Sequence, residues 1–363
     1  MDDYRRLFWA KRVILIGIIS CAALCLPLWL NSRSLPLIPL LEGMLVLRTP
    51  FDQILLGLTT LAGLLAIVWP KKSWPGLLFL AGVMGLMIQD WNRMQPWMFH
   101  FVMLLVILQS LPGKYKHYLP AKPVLAAVQL GVIGLYFWSG WYKLNDGYSE
   151  KIVPYVVYPI YNQWWMAHPF IHRIVFRMAL LAPYLEMATA IALLIPRTRT
   201  VAVLLGTTLH LGILYLLGPL GHNTNAVIWP WNIVLIPLLF LLFFKQKDFG
   251  LNRHLFRIQW VGLIALAFVL VIPALNMTGR YNKSLSFELY SGTNYTRHLQ
   301  FHKSDVKHLP NHLENLSYNF KDSVYIRTYE WALRDIKTPP NPDPKVTDQW
   351  QRQLIPLFRA EQE

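Results

Sequence analysis

Long apolar runs separated by short polar turns organise this chain from residue 12 to residue 275. The runs are Arg12–Leu30, Asp52–Trp69, Gly76–Asp90, Trp97–Leu111, Val124–Trp141, Ile174–Ile195, Thr200–Leu217, Val227–Phe244 and Gln259–Leu275. A helix needs roughly 20 apolar residues to cross a hydrocarbon layer about 30 Å thick, so each run reads as a spanning helix. The third and fourth are short and flank a polar turn that dips toward the membrane. Leu35–Leu47 is apolar but too brief to span, and it reads as interfacial or re-entrant. The basic flank Arg5, Arg6, Lys11 and Arg12 resembles that of a signal peptide, but the run after it is long and no small-x-small cleavage site follows. A retained anchor is therefore expected.

Past Asn276 the pattern changes. Leu285, Phe287 and Leu289 alternate with Ser286 and Glu288, the turn-rich Ser291-Gly292-Thr293-Asn294 follows, and Leu299 and Phe301 alternate again. That spacing predicts a β-hairpin with one buried face. Thr338–Pro344 is a stiff Pro-rich linker before a short terminal helix. The predicted fold class is thus an all-α polytopic membrane helical bundle of about nine transmembrane helices over residues 1–275. A small C-terminal α+β extracytoplasmic domain, with the hairpin and the linker, occupies residues 276–363.

Composition agrees with lipid as the main solvent. The chain has 363 residues, 55% of them hydrophobic and 15% charged, with a mean hydropathy of +0.34. Soluble domains carry about 25% charged residues. The net charge of +15 lies in the connections between apolar runs, and no nucleic-acid motif accompanies it. The lipid bilayer, and no nucleic acid, is the expected partner. With a cytoplasmic N-terminus, inner segments hold fifteen Lys and Arg residues and outer connections only seven, as the positive-inside rule requires. This places the tail outside a bacterial cytoplasmic (inner) membrane. Cys21 and Cys25 read as buried apolar thiols, no metal-ligand spacing stands out, and N-x-S/T sequons begin at Asn276, Asn282, Asn294 and Asn315.

Ionisable groups inside hydrocarbon cost several kcal/mol and mark candidate sites. Glu186 and His210 lie nine and ten residues from the inner ends of adjacent runs joined by Pro196-Arg197-Thr198-Arg199, which sets both about 14 Å deep. A direct or water-bridged Glu186–His210 contact is expected, either shaping a pocket or simply tying two helices together. Further polar groups gather toward the outer ends: Asp90, Trp91, Arg93, Gln95 and Trp97 in one turn, Trp141 and Lys143 at the close of the fifth run, and His222, Asn223, Asn225, Trp229 and Asn232 around the start of the eighth. Snorkelling by Arg93 and Lys143 and belt positions for the indoles are the simple alternative. That alternative leaves unexplained why the polar groups concentrate at the outer side.

The Asp90–Trp97 turn with its Arg-x-Gln-Pro-Trp core, the sequence Ser139-Gly140-Trp141-Tyr142-Lys143-Leu144, and Glu186 followed by Pro-Arg-Thr-Arg and His210 resemble the HTTM (horizontally transferred transmembrane) domain. This is the membrane domain of vitamin K-dependent γ-glutamyl carboxylases and their bacterial relatives, and the likeness covers about Arg12 to Leu275. The resemblance implies a helical bundle that takes a reduced, vitamin K-like quinone from the lipid. It implies Lys143 as the base, Glu186 and His210 as further catalytic groups, and Asp90, Trp91, Arg93, Gln95, Trp97, Trp141, His222 and Asn223 as cofactor-binding residues. Desolvation, which makes a Lys release its proton more readily, agrees with the first role. Two departures matter: the tail is under a hundred residues, far shorter than the carboxylases' lumenal portion, and Tyr142 stands where the carboxylase motif has a second Lys. Ser-Gly-x-x-Lys-Leu also resembles the shorter DoxX-type quinone-linked subunits. Two functions stay open: quinone-dependent enzyme chemistry of the carboxylase, lyase or oxidoreductase kind, and a non-catalytic membrane partner that matures, anchors or exports an extracytoplasmic protein or peptide.

Overall fold

The computed structural model describes residues 1–110, 121–160, 168–246, 259–279, 282–293 and 298–359. Lys114, Lys116, Lys247, Arg253 and Arg257 of the charge argument, and the sequon at Asn294, lie outside the described residues. The chain is mostly helical. The apolar helices are α1 (Asp3–Leu24), α2 (Phe51–Val68), α3 (Ser73–Met87), α4 (Pro96–Leu108), α5 (Ala121–Trp141), α6 (Pro169–Leu194), α7 (Arg199–Leu217), α8 (Ile228–Phe243) and α9 (Trp260–Asn276). Of these, α1, α2, α5, α6 and α7 are long and apolar enough to cross a membrane, and the other four are shorter.

The first helix begins well before the apolar run that announces it. Asp2 accepts a hydrogen bond from the Arg5 backbone amide at 2.8 Å and caps the helix at Asp3. Its early cations serve neighbouring helix ends: Arg6 donates to Leu241 O (2.8 Å), Arg12 to Ile67 O (2.9 Å), and buried Lys11 to Pro70 O (3.2 Å). Each reaches a carbonyl that lies at or just past a helix C-terminus and lacks a helical partner, where the dipole also favours a cation.

Helix α5 is the hub, nearly all of its residues buried, whereas most residues of α6 and α7 are at least partly exposed. Proline creates two openings that aromatic donors fill. Pro183, inside α6, has no N–H for the Ala179 carbonyl, and the Tyr148 hydroxyl donates to that oxygen at 2.8 Å. Pro273, in α9, likewise leaves the Val269 carbonyl, and the Trp138 indole N–H donates to it.

Residues 31–50 form an irregular loop, not a helix, between the bundle and the C-terminal part. Trp331 Nε1 donates to Ser34 Oγ (3.0 Å), Trp350 Nε1 to Pro36 O (2.9 Å), and the Asp335 carboxylate accepts from Leu35 N. The predicted hairpin is not the one observed. Residues 285–289 make no strand: Lys283–Leu285 is a 3-10 turn, and Phe287 takes a positive φ and packs on Phe99 and His100 of α4. Their alternation marks no single buried face, since Ser286 and Glu288 are buried along with Phe287 while Leu285 and Leu289 are only partly so. The sheet comprises β1 (Leu299–His302), β2 (Ser317–Phe320) and β3 (Ser323–Ile326) in the antiparallel order β1-β3-β2, with Leu299 and Ser317 both opposite Ile326. Helix α10 (Thr328–Asp335) follows, and α11 (Pro344–Arg359) lays Val346, Trp350, Leu354 and Phe358 against the sheet, Phe358 meeting Phe301 edge-on at 4.9 Å. Residues four apart share a helix face, so this one stripe is enough to seat α11.

Candidate functional site

Lys143 follows the last turn of α5. One turn back, Ser139 presents its hydroxyl to the same side, and Gly140 lets α6 come close. A Cβ on Gly140 would stand 2.5 Å from the Pro183 carbonyl oxygen and 3.2 Å from Glu186 Cβ. The Ser-Gly-x-x-Lys spacing thus has a physical reason: hydroxyl and amine are i,i+4 neighbours, and glycine removes the side chain that would hold the helices apart. Lys143 Nζ donates to Glu186 Oε1 and Oε2 and to Ser139 Oγ, each at 2.7 Å. Lys143 and Glu186 are only 9% and 7% exposed.

Across the same space, the Tyr136 hydroxyl meets His210 Nε2, and His210 Nδ1 lies 2.8 Å from Asn232 Oδ1. A Cβ on Gly206 would come within 3.1 Å of the Tyr136 oxygen, so α7 leaves room for it. The expected direct Glu186–His210 hydrogen bond is not formed: both side chains border one cavity, but Glu186 is bonded to Lys143 and His210 to Tyr136 and Asn232. Equal depth placed them at one level, while helix rotation decided their partners.

That cavity has a volume of about 160 Å3. Its polar wall is Tyr136, Ser139, Lys143, Glu186, His210 and Asn232, and its remaining wall is mostly Leu, Ile and Ala side chains such as Leu135, Ala182, Leu209, Ile213 and Leu235. Next to it lies a second chamber of about 420 Å3. Ile152, Ile228, Trp231, Leu289 and Tyr290 border both. The second chamber is walled by Gln95, Trp97, Lys151, Tyr155, Asn225 and Glu288, and by Pro339, Pro340 and Pro342 of the C-terminal strap. Lys143 and the Asp90–Trp97 turn therefore face neighbouring chambers, not one.

The other residues expected to bind a cofactor divide. Gln95 and Trp97 border the second chamber. Asp90 and Arg93 are fully buried, with Trp91 beside them, in the turn whose Trp91, Asn92 and Gln95 hold the strap. Asp90 pairs with Arg33 and accepts from Asn92 Nδ2 (3.0 Å), while Arg93 donates to Leu28 O (2.9 Å), Leu86 O (2.9 Å), Trp29 O (3.0 Å) and Asn31 Oδ1 (2.6 Å). Burial lowers the Arg93 guanidinium to about 10, Asp90 opposing the shift, so it remains charged at neutral pH. Asn341 of the strap donates to Trp91 O (3.0 Å) and receives a hydrogen bond from Asn282 Nδ2 (3.1 Å). Trp141 is 40% exposed and stacks on Phe137. His222 stacks on Tyr155 at 3.9 Å, and Asn223 occupies a left-handed turn position with φ 50. None of these three borders either chamber.

Sequence reasoning did not assign Tyr136, Ser139, Tyr148 or Tyr290 to the site. The first two carried a signal, since Tyr136, Ser139 and Lys143 recur at helical spacing on one face. Among the described residues, no group of three His, Cys, Asp or Glu side chains is placed to hold a metal ion. Comparison of the chain with protein-family models, with curated proteins and with solved structures gives no match. A function is therefore to be read from the geometry of the site.

Proposed function

We propose that this is an integral membrane enzyme of the HTTM kind that acts on a lipid-soluble reduced quinone at the polar end of the 160 Å3 cavity. In this reading α1 to α9 all span a bacterial cytoplasmic membrane, the N-terminus is cytoplasmic, and the sheet with α10 and α11 lies outside. The carrying observation is the Lys143–Glu186 ion pair, set in the wall of an otherwise apolar cavity. An ion pair removed from water is poorly repaid in stability compared with apolar side chains of the same size, so it suggests a use beyond holding helices together.

The residues fit the ring of such a cofactor. A dry cavity of about 150 Å3 lined by Leu, Ile and Phe accepts one benzene ring, and this one is of that size, so it would take the hydroxyl-bearing ring of a fused pair while the second ring reaches toward the adjoining chamber of about 420 Å3. A quinol supplies an acidic ring hydroxyl and a two-electron couple when bound. Leu135, Ala182, Ile213 and Leu235 would hold the ring, with Ser139 and Tyr136 at its hydroxyl. Lys143 and Glu186 would supply local charge in a medium where charge acts strongly. The exposed faces of α6 and α7 make these helices the side from which a lipid-soluble molecule would come.

The test is binding of menadiol to the protein in lipid nanodiscs, corrected with empty discs. Ala182→Phe, which fills the cavity from a partly exposed wall position, should reduce binding at least tenfold. Unchanged binding in Ala182→Phe would remove the basis for this reading. Orientation is checked separately: a Cys placed at exposed Ser304 should react with an impermeant reagent from outside.

A further inference from the structure

The polar wall contains two sub-clusters whose hydrogens can be assigned, and the assignment divides their roles. A lysine ammonium carries three N–H donors and no lone pair. Lys143 has three acceptors at 2.7 Å, both Glu186 oxygens and Ser139 Oγ. Every proton is engaged, and nothing on Nζ is free to accept one from a ligand. As a base Lys143 must first surrender a proton to Glu186 and break this arrangement.

The second sub-cluster has the opposite character. Asn232 Nδ2 donates to Ile228 O at 2.8 Å, which fixes the amide and turns Oδ1 to His210. An amide oxygen only accepts, so His210 Nδ1 carries the hydrogen and Nε2 bears the lone pair. Tyr136 must then donate its own hydrogen to Nε2. Its oxygen, which borders the cavity, has only lone pairs left to offer. The cavity thus presents an acceptor at Tyr136, backed by His210. Beside it, one helical turn along α5, the Ser139 hydroxyl is backed by the Lys143–Glu186 pair.

We infer that the proton acceptor of this site is Tyr136, relaying to His210, and that Lys143 remains an ammonium whose charge serves a bound oxygen through Ser139. The inference rests on the cavity being a ring site, as proposed above. It specifies the ligand further: an apolar ring bearing a weakly acidic hydroxyl that donates to Tyr136. In the transfer, the O–H bond of the bound hydroxyl breaks as its proton joins the Tyr136 oxygen. The tyrosine's own proton passes to Nε2. Imidazolium forms, the negative charge stays on the ligand oxygen, and no electron changes hands. Tyr136 is the catalytic residue and His210 a positioning residue that receives the proton through it.

The experiment compares 2-naphthol with naphthalene, which share a ring system and differ in the hydroxyl, by equilibrium dialysis against protein nanodiscs corrected with empty discs. A site that hydrogen-bonds a hydroxyl discriminates against the analogue lacking it. Wild type should favour 2-naphthol at least tenfold, and Tyr136→Phe should bring the ratio near one. A ratio that survives Tyr136→Phe overturns the inference. If wild type binds both probes equally, the ring site stands and the inference fails. If it binds neither, the ring site fails and the inference with it. Nitrogen-15 NMR of His210 in the wild type gives an independent check that needs no variant to fold: hydrogen on Nδ1 is required, and hydrogen on Nε2 refutes the relay.

Discussion

Among the charged side chains buried in the described residues, those at Arg93 and those at Lys143 have partners that differ in kind. At the turn holding Asp90 and Arg93, three of the four acceptors of the Arg93 guanidinium are backbone carbonyls, and two of them, Leu28 and Trp29, belong to one short helical turn. At the close of α5, Lys143 is held wholly by side chains, Glu186 and Ser139. The first cluster is enclosed by protein; the second borders a cavity. A buried charge bonded to backbone holds chain segments in place. One bonded to other side chains beside open space is arranged so that something else can reach its neighbours. Burial and charge, common to both, do not separate them.

Substitution should separate the two most clearly. Replacing Arg93 with Leu takes a donor from three carbonyls; Leu28 O keeps Arg33 Nη1 and Leu86 O keeps the Gln89 N–H, but Trp29 O loses its donor, and no second substitution can mend that, since a carbonyl cannot be removed. At about 1.5–3 kcal/mol for a hydrogen bond to a charged group, the loss should be on the order of 5 kcal/mol. It should appear in an SDS-driven unfolding equilibrium and resist rescue by Asp90→Asn. Replacing Glu186 with Leu strands the Lys143 ammonium and should cost about 3–5 kcal/mol, but here the partner is itself replaceable. Adding Lys143→Met should return most of the stability while menadiol binding stays lost. A double variant as unstable as the Glu186 single would make the cavity pair structural, like the turn.

The legibility of these differences in the sequence varies with what each residue depends on. Helix positions depend on local hydropathy, so Phe51–Val68 and Arg199–Leu217 fall within a residue of their predicted runs. The start of α1 was hidden because Arg5, Arg6 and Lys11 read as a polar flank, whereas Arg6 and Lys11 serve neighbouring helix ends in the fold. Lys143, Glu186 and His210 stood out as polar groups in apolar surroundings. Their pairing did not, because depth comes from counting residues while azimuth comes from packing. Residues 285–289 alternate as a strand would, yet Phe287 is drawn to α4. Ser286 and Glu288 are buried there too, Glu288 accepting from Asn276 and Ser291, so polarity in the sequence did not mark the solvent side.

Gly140 sharpens the comparison at intermediate cost. Its α-hydrogen faces the Pro183 carbonyl, a backbone atom that cannot swing aside, so Gly140→Ala must push α5 from α6. Overpacking of this sort costs about 1–3 kcal/mol. Because the displaced helices carry Lys143 and Glu186, binding should fall further than stability does, whereas a packing change near Arg93 should lower both together. Asn341→Ala probes the other cluster from the strap side. It removes one of two donors to Trp91 O, which keeps the Met94 N–H, and an acceptor of Asn282 Nδ2, worth about 1–2 kcal/mol, and should expose the strap to trypsin at Lys337 or Lys345 without altering ring binding in the inner cavity.

The smallest effect tests whether side-chain-to-backbone bonding near the cavity is repairable after all. Pro183 withholds an N–H from the Ala179 carbonyl, and Tyr148 supplies the missing donor. Burial and the Glu186 carboxylate hold the Tyr148 phenol above its ordinary range, so it keeps its proton through neutral and moderately alkaline pH. In the wild-type background Tyr148→Phe should cost about 1 kcal/mol, the net value of one such bond. With Pro183→Ala the helix regains its own N–H at that position, and the Ala179 oxygen no longer depends on Tyr148. Tyr148→Phe should then be nearly silent, giving a coupling of about 1 kcal/mol in the double-mutant cycle. This carbonyl, unlike Trp29 O at Arg93, has a second possible donor in its own helix. A cycle with no coupling would mean that the Tyr148 hydroxyl acts elsewhere, on the cavity that its side chain borders.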